Sequence, residues 1–251
     1  MNTTVTALIV FGCLVAAVLL GRFIRKLLPD EHVTSDSRDA IKLAMGLVAT
    51  MSALVLGLLV SSAKGSYDTE RSEVIQMASK ISFLGRLLEA YGPEATGARM
   101  QLRDLVEEGI RKMWPEEMRR PSSTVPTMQG GKLLYGAIQR LSAQNDIQTA
   151  VKSEALILAT DIGQIRSLLA AQSVPSISTA MLVILVMWLV VIFLGFSVLA
   201  PPNVTALLAL MVSALAVSGA ILLILELDQP FGGLIGISSE PMVNALHQFG
   251  Q

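Results

Sequence analysis

The side chains of this sequence that could do chemistry are few and scattered. His32 and His247 stand alone, without the spacing that sets two imidazoles on one helical face, and the single cysteine, Cys13, lies inside an apolar run. That rules out an intrachain disulfide and a thiolate zinc cluster. No nucleophile elbow, phosphate loop or convergent acid–base set occurs. The 12 methionines fall at helix-core positions, a pattern of packing rather than of a copper site. The expectation is a protein that is not an enzyme, with no catalytic residue, no metal ligand and no cofactor. The acids that stand out are Glu226 and Asp228, at the end of an apolar run. A helix C-terminus carries roughly half a negative charge, so two carboxylates there call for a counter-charge. Lys64, which closes another apolar run, is the natural one, and Lys64, Glu226 and Asp228 form a predicted interface charge cluster. The plainer alternative is that the acids are solvated.

Those residues must be carried by membrane helices. The chain of 251 residues is 52% hydrophobic with a formal net charge of -1, and its mean hydropathy of +0.59 is high for a soluble domain. The cations are not gathered into an unopposed basic face, which excludes a nucleic-acid partner. The central stretch runs from Ile41 to Tyr91. A cap-like Ser35-Asp36-Ser37-Arg38-Asp39 precedes it, its segment from Leu43 to Ala63 is uncharged, and no proline interrupts it. About 50 residues at 1.5 Å each give a helix of roughly 75 Å, more than twice the apolar core of a bilayer. It therefore leaves the membrane and carries a domain. Ala49, Ala53, Gly57, Ser61 and Gly65 recur at every fourth position. Such a row of small residues lets another backbone approach, and it predicts a helix-packing seam, within the chain or between subunits, or a pore-proximal face.

The remaining spans are Val5 to Leu20, Ile177 to Leu199 and Val204 to Leu225, the last with its own small-residue row, Ala206, Ala209, Ser213, Ala216 and Ala220. Arg22, Arg25 and Lys26 follow the first span and no cation precedes it, so it reads as a retained span rather than a signal peptide. Between spans two and three, Val74, Met77, Ile81, Leu84, Leu88 and Tyr91 form one helical stripe. Ile147, Val151, Ala155, Leu158, Ile162, Ile165 and Leu169 form another, and the two are expected to pack together. Helices are also expected from Glu94 to Met113, from Lys132 to Leu141, and from Pro241 to Phe249, the last with Met242, Leu246 and Phe249 on one face. A proline- and glycine-rich loop should run from Pro115 to Gly131.

The predicted fold is an all-α membrane protein of four transmembrane helices with a helical bundle between the second and third. Residues 1–63 hold spans one and two, 64–174 the extramembrane bundle, 175–227 spans three and four, and 228–251 a C-terminal motif and short amphipathic helix. The bilayer is thus one partner. Basic residues after the first span place the connector in the cytoplasm of a cell with the protein in its inner membrane, and the bundle and termini outside. A motor stator would need an acid or hydroxyl at membrane depth. No acid lies between Leu43 and Ser61, and the hydroxyls of Thr50 and Ser52 are expected to bond their own backbone.

Four stretches carry a family resemblance: SDSRDAIKLAMGLVATMSALVLGLLVSSAKGSYD (Ser35 to Asp68), YGPEATGARMQLRDLV (Tyr91 to Val106), the pair Trp114-Pro115, and LDQPFGGLIGISSEPMVNAL (Leu227 to Leu246). They resemble a bacterial membrane family known as bestrophin-like, whose C-terminal motif is represented here by Leu227, Asp228, Pro230, Phe231 and Gly233. The resemblance points to bestrophins, four-span pentameric channels that pass chloride and other anions through a pore lined by the second helix. It implies a homo-oligomer, pentameric if the likeness to bestrophins is close, inorganic ions as partners, and a bundle in the cytoplasm, opposite to the charge rule. No residue matches a bestrophin pore constriction or calcium clasp one for one, so neither set is carried over. The alternative function is a non-conducting scaffold or signalling protein whose bundle binds a partner through the loop bearing Arg119-Arg120.

Overall fold

The computed structural model describes residues 3–27, 35–114, 127–172, 177–233 and 235–248. Its helices are α1 (Thr3–Leu27), α2 (Ser35–Tyr91), α3 (Thr96–Met113), α4 (Thr127–Gln139), α5 (Asp146–Gln172), α6 (Thr179–Leu199), α7 (Val204–Leu227) and α8 (Glu240–His247), and the described residues include no strand. Four of them, α1, α2, α6 and α7, are long and apolar enough to cross a membrane. The chain is a multi-pass membrane protein, all α, as its hydropathy predicts. Much of the predicted loop, the connector from residue 28 onward, Arg119-Arg120, Pro175 and Phe249 lie outside the described residues.

α2 is continuous for 57 residues, through Gly57 and Gly65. A glycine in a helix interior costs only about 1 kcal/mol, too little to break a helix held by packing. It stops at Gly92, whose φ of +118° is open to glycine at little cost, and the Gly92 N–H bonds the Glu89 carbonyl at 3.2 Å.

One compact unit comprises residues 1–67, 175–229 and 233–235. In it α1 packs on α6 and α7. Gly21 makes the α1–α6 approach possible, because a Cβ there would lie 2.7 Å from the Leu194 carbonyl oxygen and 2.7 Å from Ser197 Cβ. The Ser197 hydroxyl donates to the Val18 carbonyl at 2.6 Å. Gly195 plays the matching part on α6, where the Met45 side chain of α2 lies against it. The core is Val10, Leu14, Ala17 and Val18 of α1, Leu59 and Ala63 of α2, Leu185, Leu189 and Phe193 of α6, and Ala214, Ile221 and Ile224 of α7. The large apolar side chains left outside, among them Leu8, Leu43, Leu54, Leu58 and Val204, are what a lipid solvent accepts and water does not.

The other unit comprises residues 68–174, 230–232 and 236–251. Here the two long stripes do meet. Glu73 accepts from Gln172 at 3.1 Å, Lys80 pairs with Asp161, and the Tyr91 carbonyl accepts from Gln148 at 3.0 Å, so α2 and α5 run antiparallel. Val74, Met77, Ile81, Leu84, Leu88 and Tyr91 are all buried, as are Ala155, Leu158, Ile162 and Leu169. Fully burying each leucine of such a stripe contributes about 1.5–3 kcal/mol. Ile147 departs from the predicted stripe and is 75% exposed, in the first turn of α5. α3 packs on α4 and α8.

The starts of α3 and α4 differ from those expected. Pro93-Glu94-Ala95 forms a 3-10 turn, and α3 starts only at Thr96. α4 begins at Thr127 rather than Lys132 and takes in Gly130-Gly131, residues that read as loop in the sequence. A Cβ on Gly130 would stand 2.8 Å from Leu105 Cδ1, so this glycine serves close packing on α3 and not a turn.

Candidate functional site

The membrane half of α2 has one buried side and one open side. Met45, Ser52, Leu59 and Ala63 are buried, a repeat of three and four residues when half-buried Val48, Val55 and Leu56 are included. The predicted seam is not this face. Ala49 is half-buried, and Ala53, Gly57, Ser61 and Gly65 are exposed, with no atom within 4 Å of where a Cβ on Gly57 or Gly65 would be. Packing of the seam against a helix of the same chain, the simpler expectation, is therefore corrected. In an apolar helix the small residues permit close approach without requiring it, and the face that is buried, which holds both small and large residues, is set by shape complementarity with the neighbouring helices. The same holds on α7, where Ala209, Ser213 and Ala216 are exposed while Ala214, Ser218, Ile221 and Ile224 are buried. The hydroxyls within α2 turn inward on the helix: Thr50 donates to the Gly46 carbonyl at 2.9 Å and Ser52 to the Val48 carbonyl at 2.8 Å.

Glu226 is the second feature. It sits at the end of α7 and is only 2% exposed, so the solvated reading of this acid is corrected. The Thr3 hydroxyl, in the first turn of α1, donates to its Oε1, and its Oε2 lies against Gly233, whose φ is +86°. The positive end of α1 is thereby set beside the carboxyl, where it offsets the negative end of α7, which by itself disfavours a carboxylate. Gly233 meets two demands at once, a left-handed backbone and no Cβ facing the carboxyl. Asp228 is half-buried and caps the helix through its N–H to the Ile224 carbonyl at 3.2 Å. Lys64 is exposed, with its ammonium 5.4 Å from the centroid of the Tyr67 ring. Thr3 is the functional residue that sequence reasoning passed over. The only available signal was that a buried acid needs a donor, and nothing local connects it to a threonine 223 positions away. Replacing Thr3 with Val, nearly the same shape without the donor, is expected to cost about 1–3 kcal/mol. A lower thermal midpoint of the purified protein in detergent would register it, and a midpoint equal to the parent's would show the contact to be dispensable.

The C-terminal motif completes the picture in the second unit. Trp114, buried at the end of α3, donates from Nε1 to the Ile237 carbonyl at 2.6 Å and stands edge-on to Phe231, ring centroids 5.6 Å apart. The Ile237 N–H bonds the Pro230 carbonyl at 2.7 Å, which brings Phe231 and Ile237 to the indole together. Beyond it α8 buries Met242 and Ala245. Trp114 and the motif of Pro230 and Phe231 were separate marks in the sequence; the fold makes them one cluster. Among the described residues no group of three or more His, Cys, Asp or Glu could hold a metal ion.

Residues 11–242 match the model of the bestrophin-like domain. No curated protein sequence matches the chain. Among solved structures it is similar to a bacterial bestrophin homologue from Klebsiella pneumoniae. One variant of that protein superposes with a TM-score of 0.70 at 16% identity, over 100% of this chain and 99% of the other. A second gives 0.68 at 14% identity, over 98% and 100%. A third structure, solved by zinc phasing, gives 0.64 at 15% identity, over 94% and 98%. At such identities the likeness concerns the fold.

Proposed function

We infer the function from the premise that this chain belongs to the bestrophin-like family, and propose that it is the subunit of a homo-oligomeric ion channel, passing inorganic anions, with α2 lining the pore. The observation that carries this reading is the open side of α2. Its membrane half buries one face in the subunit and leaves the other, with Leu47, Thr50, Leu54, Gly57, Leu58 and Ser61, uncovered over about 21 Å of helix. A ring of copies that brought these faces together would enclose an apolar constriction, which gates by wetting and dewetting. The small residues Ala53, Gly57 and Ser61 would let neighbouring helices come close around it. A pentamer is the number that the resemblance to bestrophins implies.

Planar-bilayer recording of the purified protein under asymmetric salt tests the reading. Reproducible current with a reversal potential set by the anion gradient supports it. Silence over a wide range of voltage and calcium turns it toward a non-conducting scaffold. Gly57→Leu separates the subunit from the assembly. With no atom of its own chain near that position, the subunit is expected to fold as before, whereas the oligomer loses packing or the current falls at least about tenfold, the equivalent of roughly 1.4 kcal/mol. Size-exclusion profile, melting and current all equal to the parent's would remove the seam from the function.

A further inference from the structure

The uncovered arc of α1 ends in positive charge. Leu8, Leu19 and Phe23 are 69%, 56% and 62% exposed, on the side of the helix opposite the buried Val10, Leu14, Ala17 and Val18. Lys26, also exposed, continues that arc, two turns beyond Leu19 and one beyond Phe23. Arg22 flanks it, one turn before Lys26. Its guanidinium donates from Nη2 to the Asn203 carbonyl at 2.7 Å, which ties it to the turn that opens α7. The result is a planar donor fork oriented by one hydrogen bond, an exposed ammonium one turn away, and below both an apolar ribbon of Leu19 and Phe23.

We propose that Arg22, Lys26 and this ribbon bind one anionic phospholipid. The phosphate diester sits on the two cations and an acyl chain lies along Leu19 and Phe23. A guanidinium whose direction is already set by a protein carbonyl loses little freedom on meeting a phosphate, and its remaining N–H groups match phosphate geometry. Lys26 adds charge at the level where its long stem can lie on apolar surface and its head reach the phosphates. Free phosphate offers the same headgroup chemistry but gains nothing from the ribbon. The bland account is that cations in the last turn of α1 merely offset the negative end of the helix, Lys26 among them. That account needs no lipid.

The test uses the full-length protein, delipidated in detergent and titrated with short-chain phosphatidylglycerol, short-chain phosphatidylcholine or inorganic phosphate. Bound lipid is counted by native mass spectrometry and thermal midpoints are followed. Phosphatidylglycerol is expected to bind and to stabilise more than phosphatidylcholine does. Lys26→Gln should weaken it about fivefold, the equivalent of one basic residue near an anionic surface. Lys26→Arg should restore it. Lys112→Gln, which removes an exposed cation paired with Glu108 at 2.7 Å outside the spans, should leave binding unchanged. Equal binding of the two lipids, or Lys26→Gln binding like the parent, overturns the proposal. Inorganic phosphate that stabilises as well as the lipid does would assign a free-phosphate site and overturn the lipid assignment.

Discussion

Trp114→Ala is expected to cost about 3–5 kcal/mol, the range for deleting a buried indole from a packed core. The indole does three things. It is 4% exposed, so its removal leaves a void; it stands edge-on to Phe231; and its N–H satisfies the Ile237 carbonyl at 2.6 Å. Alanine loses all three, and Phe231 and Ile237 then lose the group they meet on. Trp114→Phe keeps an aromatic body and loses the donor, so it should cost the smaller penalty of one unsatisfied buried carbonyl, about 1–3 kcal/mol. Chemical denaturation of the full-length protein, with limited proteolysis after residue 229 as the local readout, checks the pair. Equal stability of parent and Trp114→Ala would mean that the C-terminal segment is held by α8 alone.

Gly21→Leu is expected to prevent the membrane unit from forming. Even a methyl group at position 21 would meet the Leu194 carbonyl oxygen at 2.7 Å and Ser197 Oγ at 3.0 Å, and neither can retreat without moving α6. Overpacking of this kind costs about 1–3 kcal/mol for small insertions and more for larger ones. A leucine would also separate Ser197 from the Val18 carbonyl to which it donates at 2.6 Å. The expected result is aggregated or degraded protein for Gly21→Leu and a lowered midpoint for Gly21→Ala. Gly12→Leu serves as the control, because nothing lies within 4 Å of its Cβ position. If Gly21→Leu purified as a monodisperse protein with the parent's midpoint, the close approach of α1 to α6 would be no requirement of the fold.

These two residues mark the limit of what was legible in the chain. Trp114 was visible as half of a Trp-Pro pair and as the end of a helix, but its partners lie in a segment more than a hundred residues on. Gly21 and Gly195 carried no mark at all, while Gly57, in a regular row of small residues, drew the packing prediction that the subunit does not use. The bundle was easier to read. Soluble helices sort apolar from polar residues around their axis, so the stripes of Val74 to Tyr91 and Ala155 to Leu169 name their buried faces directly. A helix in lipid is apolar on every side, and its sequence names no face.

What the sequence by itself determined is everything that follows from local hydropathy and period: four spans, a second helix that runs unbroken from near Ile41 to Tyr91, and two stripes that pack on each other. A span must exceed the bilayer core, and a proline-free run with a regular stripe has no reason to break. Only the tertiary structure decided that Met45, Ser52, Leu59 and Ala63 form the buried face of α2, that Glu226 is buried against Thr3 and Gly233, and that Arg22 reaches Asn203. Each of these is a meeting of residues distant in the chain. Which meeting occurs is set by shape complementarity between whole helices and by where their ends come level, quantities that no window of the sequence contains.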